Sequence, residues 1–355
     1  MTPRQRVETV LNGGRADRVP FTVYECMLPP CRAERELRNR GLCILNRQGV
    51  FATHRPNVRT TTHSETDDRG RAVVRTVHET PAGTLTAVSE PAGFTAWQRE
   101  RLFKGPEDYK AIAFLIADEC YEPTYAEYAA AEEAFGSDAV FRAAIGLEPL
   151  QVLVSGGMMS MQDFCLEWMD RRDELLKLYN LIVANRRRIY PIVAASPASH
   201  ANYGGNVVPT ITGPEVFREY YLPHYNEAAE ALHRAHKRIG CHFDADCGLL
   251  AEAIGETDLD YIEALTPAPG TDMTLAEARA AWPDKTLWIN FPSSAHLRPD
   301  AEVEATAVAL IDQAGTDGLI IGITEDMPPH RWQDSCRAIM DGIDRHAREH
   351  PEMYA

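Results

Sequence analysis

The sequence predicts an α/β fold, a (β/α)8 TIM barrel carrying an antiparallel β-meander as an elaboration towards its N-terminal side. Three observations predict it. From about residue 200 onward, short apolar runs alternate with amphipathic stretches in a strand-then-helix rhythm that continues to the C-terminal segment. Runs such as TLWIN and GLIIGI are apolar at nearly every position, as parallel strands covered on both faces must be. Each run hands over to polar residues, and in a barrel the functional face lies at the strand C-termini. An open doubly wound sheet shares the rhythm, but neither a GxGxxG turn nor a GxxxxGK[ST] loop is present to support nucleotide binding.

Taken in order, residues 3–12 form an amphipathic helix with Val7, Val10 and Leu11 on one side, stopped by Gly13 and Gly14. Arg18 to Glu25 is a strand that runs into Cys26 and the breaker pair Pro29 and Pro30. From about 50 to 90, β-rich stretches separated by DDRG and PAG form the meander. Helix follows over 106–135, broken near Tyr121 to Thr124, then a strand over 139–146 and helix from Met161 to about Ala195. In 214–237, Phe217, Tyr221, Tyr225, Ala228, Leu232 and Ala235 share one helix face, with Pro223 bending or breaking it. The strands RIGCHFDA, LDYIEALTP, TLWINFPSS and GLIIGITED complete the repeat, and RWQDSCRAIMDGIDRHA is the closing helix. The chain, 1–355, thus reads as one barrel domain with the meander inserted.

Composition narrows the functional classes. An apolar fraction of 45% and a charged fraction of 25% are those of an ordinary globular protein. A net charge of -16 without a long basic cluster argues against nucleic acid as partner, and Arg186 to Arg188 read as a solvated helix face. No apolar stretch reaches the roughly 18 residues of a membrane span. The first residues lack the apolar core of a secretion signal, and eight cysteines without a CxxC pair suit a reducing cytoplasm. The oligomeric state is left open, a homodimer included.

The strand ends supply the candidate site. Reading them off gives Glu25, then Tyr203 and Asn206, then His242 and Asp244, Glu263, Asn290 and Glu325. His242 and Asp244 are two apart on a strand and point the same way, so both can approach one ion; Glu325, from the last strand, would complete a three-ligand metal site. One nitrogen and two carboxylates suit zinc, or a harder divalent metal. A lone histidine is also at home as a hydrogen-bonded structural residue, and Asp246 and Glu325 as helix caps. Glu263, Asn290 and Asp246 are the candidate catalytic groups. Glu25, Tyr203, Asn206 and Met158, the last in the GGMMSM loop, are the candidate substrate contacts. Cys247 competes with Asp244 as a ligand, whereas Cys336, inside the last helix, reads as a buried apolar residue.

These segments also carry a resemblance. MTPRQRVETVLNGGRADRVPF, GPEVFREYYLPHYNEAAEALHRAHKRIGCHFDADCG, INFPSSAHL and DGLIIGITEDMPPHRWQDSCRAI resemble the uroporphyrinogen decarboxylase superfamily, nearer its cobamide-dependent methyltransferase branch than the true decarboxylases. The match is strong over the C-terminal part, fair over the first residues and poor in the meander. The resemblance implies a barrel, and in that branch a zinc held by His-x-Cys and a later Cys. Those places fall here on His242, Asp244 and, on or beside it, Glu325, so both thiolates are missing. The arginine-rich stretch that follows the first strand in the decarboxylases reads ECMLPPC here, which argues against porphyrinogen decarboxylation.

The expected function is therefore a metal-dependent methyltransferase moving a methyl group between a small O-methyl substrate and a corrinoid carried by a partner protein. A metal-dependent lyase or hydrolase acting on a small organic acid is the alternative, with a non-catalytic binding member of the family behind it.

Overall fold

The apolar runs become the staves of a barrel in a computed structural model that describes residues 1–93 and 95–355. We number the staves β1 (Phe21–Tyr24), β2 (Cys43–Asn46), β3 (Ala139–Phe141 and Ala143–Gly146), β4 (His200–Tyr203), β5 (Arg238–His242), β6 (Tyr261–Leu265), β7 (Thr286–Asn290) and β8 (Leu319–Ile323). Every neighbouring pair is parallel, and β8 lies beside β1 with Phe21 opposite Ile321. The two pieces of β3 face different neighbours: Ala139–Phe141 pairs with β2 and Ala143–Gly146 with β4. The ring therefore closes through the residue between them, Arg142, whose N–H donates to the Asn46 carbonyl at 2.8 Å.

The barrel belongs to a compact unit made of Met1–Val50, Thr124–Gly146 and Val193–Ala355. All residues of β6, β7 and β8 are buried, as strands covered on both faces require. Its interior is filled by aromatic rings. The Tyr261 and Trp288 rings lie 5.8 Å apart; the Tyr261 hydroxyl donates to the Ala201 carbonyl at 2.7 Å, and Trp288 Nε1 donates to Thr22 Oγ1 at 2.8 Å. Rings of this size bring a large apolar payload into a core only where their polar ends find partners, as both do. Gly240 makes room for them, since a Cβ there would land in the Tyr261 ring. The helix Pro3–Leu11 starts with the Thr2 and Gln5 capping box and buries Val7, Val10 and Leu11 in the same cluster as Tyr24, Tyr261 and Trp288.

The second unit, Phe51–Pro123 with Leu147–Ile192, holds the meander. Four antiparallel strands run in sequence order: Arg59–Thr66, Ala72–Thr80, Gly83–Ala92 and Thr95–Glu100. The stretch at its start, Phe51–His54, lies outside that sheet and pairs antiparallel with Cys120–Pro123, which is the break expected near Tyr121. Helices Met161–Asp170 and Arg172–Ala195 follow the sequence expectation, as does the division at Tyr221 between Pro209–Tyr220 and Leu222–Arg234. Elements not expected from sequence include the helix Arg32–Arg40, the stave β2 that follows it, the meander strand Thr95–Glu100 and the helix Pro149–Ser155. No helix among the described residues is long and apolar enough to cross a membrane.

Candidate functional site at the strand C-termini

Alternation along a strand sends every second side chain inward, and several of these polar side chains converge on one carboxylate. Glu263, in β6 and fully buried, lies opposite His242 of β5 in the strand register. Its Oε2 is 2.7 Å from His242 Nδ1, and its Oε1 is 3.0 Å from Arg142 Nη1 and accepts a short hydrogen bond from the Tyr24 hydroxyl. Asn202 Nδ2 approaches Oε2 at 3.5 Å, and the Tyr24 hydroxyl also lies 3.3 Å from His242 Nδ1. On the far side of the imidazole, Asp244 Oδ2 lies 3.5 Å from Nε2. The result is a row of alternating charge, Arg142, Glu263, His242 and Asp244, crossing from buried to partly exposed.

The backbone is shaped to hold it. Immediately after Glu263 the register slips, and Ala264 takes a left-handed φ of 67°, a conformation that costs a non-glycine residue roughly 1–3 kcal/mol. On β4's loop, Gly205 has φ 150° and a Cβ there would stand 3.1 Å from His242 Cβ. The absent side chain lets the loop backbone approach the histidine.

Electrostatics follow from burial and neighbours. Burial alone would push the Glu263 carboxyl up, but the Arg142 guanidinium and the His242 imidazole hold it well below the usual carboxylate range. His242 is opposed by burial as well, yet Glu263 first and then Asp244 raise its imidazole to about 10. Burial and the Arg142 charge push His200, on the same inward face as Asn202, down to about 3, so that ring is neutral. Burial and the Glu263 charge raise the Tyr24 phenol, which is also neutral.

Of the residues expected from sequence, His242, Asp244 and Glu263 are brought together. Glu325 is not placed with them: its carboxylate accepts from the Ser293 hydroxyl at 2.6 Å. Asn290 is buried, donating to Thr266 Oγ1 at 3.1 Å and accepting from the Thr324 N–H at 3.0 Å, and so ties strand ends together. Tyr203 is fully buried and stands edge-on to Tyr225 of helix Leu222–Arg234, on the outer side of the strand, because its neighbour Asn202 takes the inward place. Glu25 lies past the end of β1 and pairs with Arg47 at 2.8 Å, while Tyr24, one residue earlier, points in. Asp246 is exposed beyond β5, and Asn206 is exposed in a left-handed turn. Met158 belongs to the second unit, where its carbonyl accepts from the Phe103 N–H at 2.8 Å. Burial pushes the thiols of Cys247 and Cys336 up to about 12, which keeps both protonated.

The donor set also tests the expected metal. Zinc at ordinary ligand distances separates neighbouring tetrahedral donors by about 3.3 Å, close to the 3.5 Å between His242 Nε2 and Asp244 Oδ2. A catalytic zinc takes three protein ligands, however, and no group of three His, Cys, Asp or Glu side chains among the described residues is arranged to hold an ion. The expected triad is thus reduced to a pair, because Glu325 turns to Ser293.

Sequence reasoning passed over Arg142, Tyr24, His200 and Asn202. Arg142 carried a signal, a lone charge inside the otherwise apolar AVFRAAIG. Tyr24 and Asn202 each sit one place before the residue chosen, and alternation decides which of the two faces inward.

No protein-family model matches the chain, and no protein of curated function matches it in sequence. Among solved structures it is similar to a B12-independent methionine synthase from Shewanella sp. W3-18-1, with a TM-score of 0.37 and 10% identity over 90% of this chain and 86% of that one. It is also similar to an IolI protein with a bound zinc atom, with a TM-score of 0.32 and 11% identity over 62% and 80% of the two chains. A third is the Bacillus megaterium QM B1551 spore cortex-lytic enzyme SleL, with a TM-score of 0.30 and 10% identity over 92% and 58%. Likenesses of that size carry no conclusion about activity. What the fold and site define is a class, a parallel (β/α) barrel with a buried charge row at its strand C-termini.

Proposed function

We propose that the chain is an enzyme acting on a small oxygen-bearing substrate at the barrel mouth, with His242 as general acid. The observation that carries this is the 2.7 Å contact between His242 Nδ1 and a fully buried Glu263 kept ionised by Arg142. A fixed carboxylate on one nitrogen sets the orientation of the ring and leaves the Nε2 proton for transfer. Asp244, near that nitrogen, favours the protonated ring.

The resemblance to the cobamide-dependent branch specifies the substrate further, as an O-methyl compound whose methyl group passes to a corrinoid protein. The reduced corrinoid of that separate protein supplies the nucleophile. When the O–CH3 bond breaks, its electron pair stays on oxygen, which takes the His242 Nε2 proton and departs as a hydroxyl compound. Glu263 stabilises the imidazolium beforehand and Tyr24 braces the carboxylate. A divalent metal held by His242 and Asp244 would take the place of the Nε2 proton, so it is the alternative to the acid role and no step above depends on it.

The test is demethylation of a panel of small methoxylated compounds with a reduced corrinoid protein. The His242→Gln variant is expected to lose about 10²–10⁴-fold in rate. An unchanged rate would remove His242 as the acid, and turnover that needs no corrinoid protein would favour a lyase or hydrolase instead. Metal analysis stands beside it: stoichiometric metal in the wild type, lost in His242→Ala, would give the histidine a ligand's role.

A further inference from the structure

A second site lies at the opposite, N-terminal end of the barrel strands. A cavity of about 300 Å³ is lined by Asn12, His233, His236, Lys237 and Arg238, all within the barrel unit. In a chain with a net charge of -16, this cavity is lined by four basic side chains and no carboxylate.

Three of the four have internal duties. Lys237 Nζ donates to the Ser196 and Ala198 carbonyls, neutral acceptors that satisfy its hydrogens but leave its charge without a counter-ion. Arg238 gives Nη1 to Asp260 at 2.9 Å and Nε to Asn12 Oδ1 at 3.3 Å, and its Nη2 has no protein partner among the described residues. His233 Nε2 shares the same Asp260 at 2.8 Å. One carboxylate thus serves Arg238 and His233 together, and none serves Lys237. His236 is exposed, its side chain has no partner among the described residues, and its backbone holds a left-handed φ of 58°. The left-handed turn closes the helix Leu222–Arg234, the His236 and Lys237 N–H groups donating to the His233 and Leu232 carbonyls, and it leaves the imidazole itself unengaged at the cavity among the described residues.

We propose that this cavity binds a phosphate-class oxyanion, which would accept hydrogen bonds from His236 and Arg238 Nη2 and supply the negative charge that Lys237 lacks. Charge-assisted hydrogen bonds from a guanidinium and an imidazole suit a tetrahedral oxyanion. The volume admits the phosphoryl group together with part of a small molecule attached to it. The site is independent of the charge row at the other end of the strands.

Calorimetric titration of the full chain with inorganic phosphate, and separately with glycerol phosphate, tests it. Saturable binding is expected, weakened at least fivefold in His236→Asn, which tolerates the left-handed backbone, and in Arg238→Gln. Tighter binding of glycerol phosphate than of phosphate would identify a phosphorylated metabolite as the source, and equal binding the free ion. Absence of saturable binding by the wild type overturns the proposal, as does undiminished binding by a folded His236→Asn variant. The rate of the proposed demethylation should be unchanged in His236→Asn, which separates failure of this site from failure of the other.

Discussion

Two arginine–glutamate pairs, one in each unit, use the same chemistry to opposite ends. In the meander, Arg75 and Glu65 meet at 2.7 Å with side chains 37% and 39% exposed. In the barrel, Arg142 and Glu263 meet at 3.0 Å with 5% and 0% exposed. The first is better aligned by distance and worth less, because water solvates each partner well without the other. In the second, neither charge has water to return to, so Arg142 is tolerated through Glu263, and Glu263 through Arg142 together with His242. Burial, not separation, decides which pair the fold depends on.

The largest effect that would sharpen this contrast comes from Arg142→Met. It removes the larger of the two cationic neighbours of Glu263, leaving His242 alone, and should destabilise the chain by about 3–5 kcal/mol in urea unfolding; a loss as small as that of a surface pair would break the comparison. Gly205→Ala comes next. It places a Cβ in a left-handed backbone and against His242, so a loss of roughly 1–3 kcal/mol is expected, together with a changed His242 resonance in NMR.

Glu263→Gln removes the main cause of the raised His242 imidazole, and its titration, followed by NMR, should move down from about 10 towards the ordinary histidine range. In the wild type, the His242 contribution to stability has a definite sign. The folded group binds its proton more tightly than the unfolded one, so the contribution is complete below about 6.5 and disappears as pH rises through about 10. Unfolding free energies measured between those limits should fall with pH in the wild type and flatten in His242→Gln. The smallest effect is that of Arg75→Ala, at most about 1 kcal/mol and reduced further by salt.

The four C-terminal staves were legible because buried parallel strands write themselves as unbroken apolar runs. Stave β2 was not, since CILN is four residues long and follows directly on a helix dense with charge, RAERELRNR, with only Gly41 and Leu42 between. His242, Asp244 and Glu263 were legible as polar residues ending apolar runs. Their relation was not, because the sequence does not say that Glu263 faces Arg142 across the barrel interior. Glu325 stands apart from His242 and Asp244 for a local reason, the hydroxyl of Ser293 in the loop after β7. The outward placements of Glu25 and Tyr203 share one cause. A strand end chosen by sequence position alone is uncertain by one residue, and one residue reverses the face.

The broken stave β3 also bears on the order of assembly. It lies between the chain's two excursions into the second unit, 51–123 and 147–192. As the polypeptide leaves the ribosome, β1 and β2 emerge first, and the edge of β2 must wait through the whole first excursion for its partner. That partner must then wait through the second for β4. Closure is thus postponed by two long loops whose entropy is spent before any stave contact repays it. A nascent chain halted near residue 150 would expose an unpaired apolar edge, the state most open to aggregation and to capture by chaperones.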